Sequence, residues 1–154
     1  SISDIKDSTP EGLMKIEGIE VDTAKALIDG GADIHAKAKD GNQAIHSLIG
    51  ENMLDSVKYL LSLGVDVDTH GKNNITPLHQ AVIFNHVDGA QLLLDNGANI
   101  KAVDSNGMTC LHFARSEAMV RFLISNGAII NSLFFICIFI VYLIIYKIII
   151  FFLI

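Results

Sequence analysis

One short sequence recurs at a fixed interval along this chain of 154 residues. Thr76-Pro77-Leu78-His79 returns 33 residues later as Thr109-Cys110-Leu111-His112, and a degraded copy, Gln43-Ala44-Ile45-His46, lies 33 residues earlier. A period of this length indicates one supersecondary unit that is stacked several times, because a single unit cannot bury its own apolar face. The fold is therefore predicted to exist only as a stack of such units.

A second register comes from the glycines that follow each apolar helical segment: Gly31, Gly64, Gly97 and Gly127. The first two intervals between successive glycines are 33 residues long and the last is 30, so the fourth copy lacks three residues. We predict four units at about 9–41, 42–74, 75–107 and 108–132, of which the first and last are degenerate. The missing residues are expected between Ser116 and Met119, in a shortened loop that leaves both helices of the fourth copy intact.

Each copy is predicted to contain two helices, a turn between them and an extended loop to the next copy. Thr76 is a good N-cap, and Pro77 suits the first helical position, where its missing N–H would have no intrahelical partner. Small residues, Ala81 and Ala114, would let the first helix pack closely on its neighbours. The second helix repeats an apolar stripe at spacings of three and four residues: Ala24, Leu27 and Ile28; Val57, Leu60 and Leu61; Ala90, Leu93 and Leu94; Val120, Leu123 and Ile124.

The turns carry residues that tolerate a left-handed backbone. Asn52 and Asn85 stand between the two helices of their copies, and the four register glycines are expected to end the second helices. A further turn residue lies two positions before each first helix, and these residues predict a hairpin-like loop at every junction: Gly41, Asn74 and Gly107.

In its period and in the tetrapeptide Thr76-Pro77-Leu78-His79, the chain resembles an ankyrin repeat protein. The resemblance implies an all-α ankyrin repeat solenoid of stacked helix-turn-helix units with hairpin-like loops over residues 1–132. It also implies a protein-protein interaction module, a scaffold or adaptor, without catalytic activity.

Three histidines that share one phase of the repeat invite a metal-site interpretation: His46, His79 and His112. Successive equivalents in a stack of helices lie on the order of 10 Å apart, which is too far to share a zinc ion at bond lengths of about 2 Å. We expect each ring to hydrogen-bond to the start of its helix and to the adjacent loop instead, and we predict no metal and no cofactor. His86, at the family's loop-histidine position, is expected to be structural as well.

The charge balance argues against nucleic acid as a partner. The formal net charge is −6, and without the single positive charge of Lys147 residues 1–132 carry −7, whereas phosphate backbones attract basic surfaces. Cys110 and Cys137 match no zinc or redox spacing. Cys110 is expected to be a small buried residue, with a reactive thiol as the alternative. Because no phosphate loop, nucleophile elbow or supported Cys/His pair is found, the chain is predicted not to be an enzyme.

The family's usual contact surface is the concave side of the stack, formed by the hairpin tips and the exposed end of each first helix. Several residues at these positions are apolar where the fold does not require it, and the tips add a weaker basic contribution. We predict that the partner-binding residues are Lys39, His70, Lys72, Ile75, Ile83, Phe84, Val103 and Met108. The alternatives are that Ile83 and Phe84 pack within their loop, that Met108 packs under the fourth copy, and that the basic residues are merely solvated.

The composition changes abruptly after Ser132. Residues 133–154 read LFFICIFIVYLIIYKIIIFFLI, with Lys147 as the single charge, and about 20 apolar residues in a helix can cross a bilayer. The segment predicts a C-terminal hydrophobic helix that anchors a cytoplasmic protein to a membrane. Two features weaken that interpretation, since Lys147 lies well inside the segment and the residues from Ser125 to Ser132 carry no positive charge.

An alternative for 133–154 is translated AT-rich non-coding sequence, because only Cys137 and Val141 in this segment require a codon containing G or C. The chain begins with Ser1 and not with methionine, so we expect it to be a piece of a longer protein. The interaction module could then be the cytosolic ankyrin region of a membrane-anchored protein or channel, or a regulatory fragment of a larger enzyme.

Overall fold

A computed structural model describes residues 30–31 and 33–129 of the chain. Its α-helices follow one another in pairs: α1 (Ala44–Gly50), α2 (Leu54–Ser62), α3 (Pro77–Ile83), α4 (Val87–Asp95), α5 (Cys110–Phe113) and α6 (Glu117–Ser125). A 3-10 turn, Lys72–Asn74, lies between α2 and α3, and an isolated antiparallel bridge joins Val103 to Thr109. Apart from that bridge, the described residues are helical or lie in turns and loops.

The helices form two packed rows. The first helices, α1, α3 and α5, pack on one another in order, and the second helices, α2, α4 and α6, do the same. The two helices of each unit also contact each other. The predicted stack of helix-turn-helix units is therefore confirmed over the described residues. Most of the predicted first unit (9–41) and the whole predicted tail (133–154) lie outside them.

None of the helices within residues 33–129 is both long enough and apolar enough to cross a membrane. The predicted C-terminal hydrophobic helix lies outside this range.

Helix starts and turns follow from single residues. Thr76 caps α3, because its Oγ1 accepts the N–H of His79 at 3.4 Å, and Pro77 occupies the first helical position. Asn52 and Asn85 take φ angles of 58° and 60° in their inter-helix loops, in the left-handed region that asparagine tolerates better than most residues. The predicted helix ends and hairpin turns also have positive φ, at Gly31, Gly64, Gly97 and Gly127 and at Gly41, Asn74 and Gly107.

The core lies between the two rows of helices. Its largest fully buried apolar side chains include members of both helices of each unit: Ile45, Ile49, Val57, Leu78, Leu93, Leu111, Met119 and Leu123. Of the predicted stripe, Leu61 and Leu94 are half-buried and pack against this core. Ile124 is 41% exposed, so its assignment to the core was wrong. It lies on α6, the last helix of the described residues, where none of them stacks beyond it.

The fourth unit is shortened in its first helix and not in its loop. α6 has nine residues, as α2 and α4 have, but α5 has four residues where α3 has seven. The connection 114–116 keeps three residues, like 51–53 and 84–86. The predicted deletion between Ser116 and Met119 was therefore wrong, since the missing residues come from the last turn of the first helix.

This deletion leaves α6 in place because three residues are nearly one turn of an α-helix, about 3.6 residues. Ser116 then starts α6 by accepting the N–H of Met119 on its Oγ at 3.1 Å. Ala114, predicted within the first helix, lies beyond its end with an extended backbone at φ −67° and ψ 124°.

Candidate protein-interaction surface

The eight residues predicted to bind a partner lie at two places in the fold. Six stand on or beside the hairpin loops and two at the end of α3; together we call them the interaction surface: Lys39, His70, Lys72, Ile75, Val103 and Met108; Ile83 and Phe84. Phe84 and Val103 are 52% and 44% exposed, and the three polar members are exposed as well. Ile75, Ile83 and Met108 are half-buried.

Two buried histidines hold the hairpin loops in position. His46 accepts the N–H of Gln43 on Nδ1 at 3.2 Å, so its proton is on Nε2, which donates to the carbonyl of Ile75 at 3.1 Å. His79 repeats the arrangement one unit later, with its Nε2 3.2 Å from the carbonyl of Met108. Burial lowers the pKa of both rings, which keeps them neutral. The expected hydrogen bonds to helix start and adjacent loop are therefore present at both residues.

These bonds place Ile75 and Met108 at equivalent positions, each at the end of a hairpin and just before the next first helix. Neither side chain belongs to the core cluster of the described residues, and the same is true of Ile83. Met108 is therefore not a core residue beneath the fourth unit. These three half-buried apolar side chains therefore lie partly at the surface and outside the core cluster.

Asp104 shapes the hairpin that carries Val103 and Met108, and sequence reasoning missed it. Its carboxylate is buried and accepts the N–H groups of Asn106 at 2.8 Å and Met108 at 2.9 Å. Burial would raise its pKa, but these hydrogen bonds outweigh burial and hold the pKa below its ordinary value. The signal was present in the sequence, since an aspartate shortly before Asn-Gly is typical of a turn in which the carboxylate bonds nearby N–H groups.

The neighbouring hairpins are joined by hydrogen bonds between side chains of the first and the backbone of the second. Lys72 donates its N–H to Asn42 Oδ1 at 2.9 Å, and Lys37 Nζ donates to the carbonyl of His70 at 3.3 Å. Gly71 lies between them, where a Cβ atom would overlap Asn42 Oδ1 and lie 2.8 Å from His46 Nε2. A side chain at 71 would therefore have to displace Asn42 and His46, a constraint that the repeat pattern did not reveal.

Phe84 is exposed but held in place. It follows the last residue of α3, and its ring stacks on His86 with centroids 6.2 Å apart and planes 12° from parallel. His86 in turn donates from Nε2 to the carbonyl of Gly50 at 2.9 Å. A Cβ on Gly50 would touch the Phe84 ring at 3.4 Å, so the absence of a side chain there leaves room for the ring. The Phe84 ring is thus exposed, and it also packs within its loop, as the alternative to the partner-binding prediction proposed.

The described residues offer little for chemistry. No group of three or more His, Cys, Asp or Glu within residues 33–129 could hold a metal ion. Cys110 is fully buried, and burial raises the pKa of its thiol to about 12, so the thiol stays protonated. An open depression of about 310 Å³ beside the last hairpin is lined by Lys101, Thr109 and His112 with apolar neighbours, and none of the described carboxylates lines it.

Comparison with known families agrees with this architecture. A family model described as ankyrin repeats (3 copies) matches residues 15–104 and 74–133, together more than three quarters of the chain. No curated protein matches the chain. The repeated helix pairs, the histidine links between units and the family match lead to one assignment. The chain belongs to the ankyrin repeat family.

Proposed function

We propose that this chain is a protein-protein interaction module, a scaffold or adaptor without chemistry of its own, and that it binds its partner through the interaction surface. Ankyrin repeats generally mediate binding to other proteins. Such arrays bind by surface because their stacked units form an extended face and not a deep pocket.

One observation carries the proposal. Phe84 and Val103 are exposed apolar side chains, and Ile75, Ile83 and Met108 lie outside the core of the described residues although they are apolar. Since the fold gains little from them, their apolar character is better explained by contact with another molecule. Exposed aromatic residues are frequent anchors of protein interfaces.

The double substitution Phe84→Ala with Met108→Ser tests this proposal. We expect thermal stability to change little, because neither residue is in the core, and we expect the full chain to lose the proteins it captures from a cell extract. The matched control is Leu63→Ala with Ile124→Ser, which removes two exposed apolar side chains outside the interaction surface. An unchanged set of captured proteins contradicts the proposal, and a large fall in melting temperature shows that these side chains stabilise the fold.

A second candidate rests on residues 133–154, whose 22 residues include one charge, at Lys147. In this proposal the chain is cytoplasmic and the segment anchors it to a membrane, as in a tail-anchored adaptor or a channel. Fractionation of the full-length product separates the two candidates. Recovery in the membrane fraction after a carbonate wash supports the anchor, and recovery in the soluble fraction contradicts it.

A further inference from the structure

The three inter-helix loops, residues 51–53, 84–86 and 114–116, form a continuous row, which we call the loop row. Neighbouring loops are joined by side-chain hydrogen bonds, one from His86 Nε2 to the carbonyl of Gly50 at 2.9 Å and one from the Ser116 hydroxyl to Asn85 Oδ1. Gly50 directly precedes the first loop. The loop row is therefore a physical surface that crosses all three described units.

The loop row has no aromatic ring at its fourth-unit end. Gly50 lies against the Phe84 ring of the following unit. Ile83 occupies the same phase as Gly50, but the fourth-unit residue that corresponds to Phe84 is Ala114, the first residue of its connection, which carries no ring. The fourth-unit loop therefore has no aromatic ring at the position of Phe84, and Phe84 itself stays 52% exposed.

Charges of opposite sign stand on either side of Phe84. Arg115, in the middle of the fourth-unit loop, is exposed and forms no ion pair or hydrogen bond with the described residues. The nearest carboxylate in sequence, Glu117, is already paired with Arg121 at 2.6 Å. In the second unit, the exposed Glu51 occupies the phase of Phe84. From the second to the fourth unit, the loop row therefore presents a negatively charged side chain (Glu51), an aromatic one (Phe84) and a positively charged one (Arg115).

We propose that the loop row binds an extended segment of a partner protein that places a basic side chain against Glu51, an apolar side chain on Phe84 and an acidic side chain against Arg115. This inference rests on the proposed function and names the chemistry of the partner. Arginine pairs well with carboxylates because its planar guanidinium matches them in a two-pronged geometry. Aromatic and arginine side chains are also the residues most often found to dominate interface energies.

The spacing of the units fixes the spacing of the partner's residues. Packed helices lie about 8–10 Å apart. A polyproline II segment rises about 3.1 Å per residue with three residues per turn, so every third side chain falls on one edge at about 9 Å. The partner segment is therefore basic-x-x-apolar-x-x-acidic. Because Gly50 and His86 hold the Phe84 ring before binding, little of the binding free energy is lost in ordering it.

The test uses synthetic peptides coupled to a surface and the full chain in solution. The probe is Lys-Pro-Ala-Leu-Pro-Ala-Glu, and its comparison peptides replace Leu by Ser, the final Glu by Lys, or the first Lys by Glu. We expect the probe to bind at least tenfold more tightly than each of the three. Equal binding of the probe and the peptide with two lysines overturns the inference, as does the absence of any binding.

A charge reversal in the protein completes the test. Arg115→Glu should lose at least tenfold in affinity for the probe and should instead favour the peptide with two lysines. The matched control, Lys101→Glu, makes the same charge change at an exposed residue outside the loop row, and should leave the preference for the probe intact. Arg115→Gln serves as a second variant, which should lose the preference without reversing it.

An unchanged preference in Arg115→Glu overturns this inference. The proposed function is judged separately, because it fails when Phe84→Ala with Met108→Ser still captures the same proteins. Loss of those proteins together with unchanged peptide preferences in Arg115→Glu would support binding through the interaction surface. It would contradict the binding of an extended segment to the loop row.

Discussion

Among single residues, His46 and His79 determine how one unit is joined to the next. Each ring accepts an N–H from the start of its own helix and donates to a carbonyl 29 residues later in the chain. A protonated imidazole has no acceptor nitrogen. Only the neutral ring can therefore make both bonds, and burial favours the same form.

We predict that the free energy of unfolding decreases on acidification from about pH 6.5. The pKa of both rings is lowered from 6.5 in the folded chain, so just below that pH the unfolded chain binds protons that the folded chain does not. The stability from the neutral rings is fully present above about pH 6.5 and is lost as the pH falls towards the lowered pKa values. Urea unfolding at a series of pH values measures this.

His79→Asn provides the control for that series. It should be less stable than the natural chain at neutral pH, and its stability should depend less on pH between about 6.5 and 5. Asp104 affects the free energy of unfolding at lower pH. Because its pKa is lowered in the folded chain, its contribution to stability is lost only as the pH falls below about 3.8. A pH dependence in His79→Asn that equals that of the natural chain would contradict the assignment.

Gln43 is a weak point at the start of α1. Its Oε1 is buried without a hydrogen-bond partner among the described residues, while its Nε2 donates to the carbonyl of His35 at 3.1 Å. Gln43→Thr would place a hydroxyl where Thr76 has one in the next unit and would remove the unsatisfied oxygen. We predict a gain of about 1 kcal/mol in the free energy of unfolding, measured by urea titration.

The reverse change, Thr76→Gln, should cost a similar amount, about 1 kcal/mol, because it removes the cap of α3. A loss of stability in Gln43→Thr would show that the bond to His35 outweighs the better cap.

Among the elements, the short α5 shows that the first helix can change its length while the inter-helix loop keeps its own. The repeat period reflects only the sum of the two lengths. α6 begins at Glu117 after a three-residue connection like those of the other units, so the loop has its usual length and the first helix is one turn shorter. A loop of this kind needs a defined backbone path between two packed helices. A helix end can lose one turn and still point towards the same connection.

We predict that three residues inserted after Phe113, copied from the end of α3 as Ala-Val-Ile, will be tolerated. They would restore a first helix of seven residues and a period of 33, so the urea midpoint should stay the same or increase. The same insertion between Ser116 and Glu117 should cost about 1 kcal/mol or more, because it separates the Ser116 cap from Met119. The opposite order of the two variants would place the deletion in the loop.

In the whole molecule, stability comes from contacts between neighbouring units. Besides the histidine links, Asp68 accepts the N–H of Asn99 at 2.9 Å and Asn73 accepts the N–H of Ser105 at 2.9 Å through its carbonyl. Each such bond crosses from one unit to the next. In a stack of this kind, the loss of one unit also weakens its neighbours.

We predict that Leu93→Ala destabilises the stack by about 2–5 kcal/mol, as a truncation of a fully buried leucine. The adjacent Leu94→Ala should cost less, because that side chain is half-buried. Unfolding followed by far-UV circular dichroism measures both variants. Equal losses would contradict the burial of the two leucines on α4.

The sequence predicted correctly those residues whose backbone conformation depends only on a few neighbours in the chain. Asn52 and Asn85 were predicted in the inter-helix turns and have left-handed backbones there. It failed where the outcome depends on packing between units. Ile124 has the same sequence phase as Leu94 but is exposed, because phase does not reveal what stacks on a helix. The place of the deletion was also missed, since a shorter loop and a shorter helix give the same spacing between landmarks.

The sequence by itself determined the repeat length, the stacked helix pairs, the turn residues and the apolar character of the hairpin positions, because each depends on local backbone preference or on helical periodicity. Only the tertiary structure decided that α5 is short, that Phe84 rests on Gly50 and His86, and that Arg115, in the next inter-helix loop, pairs with none of the described residues. These features join residues of different units. Their distances are set by how the units stack, and a one-dimensional period does not contain that information.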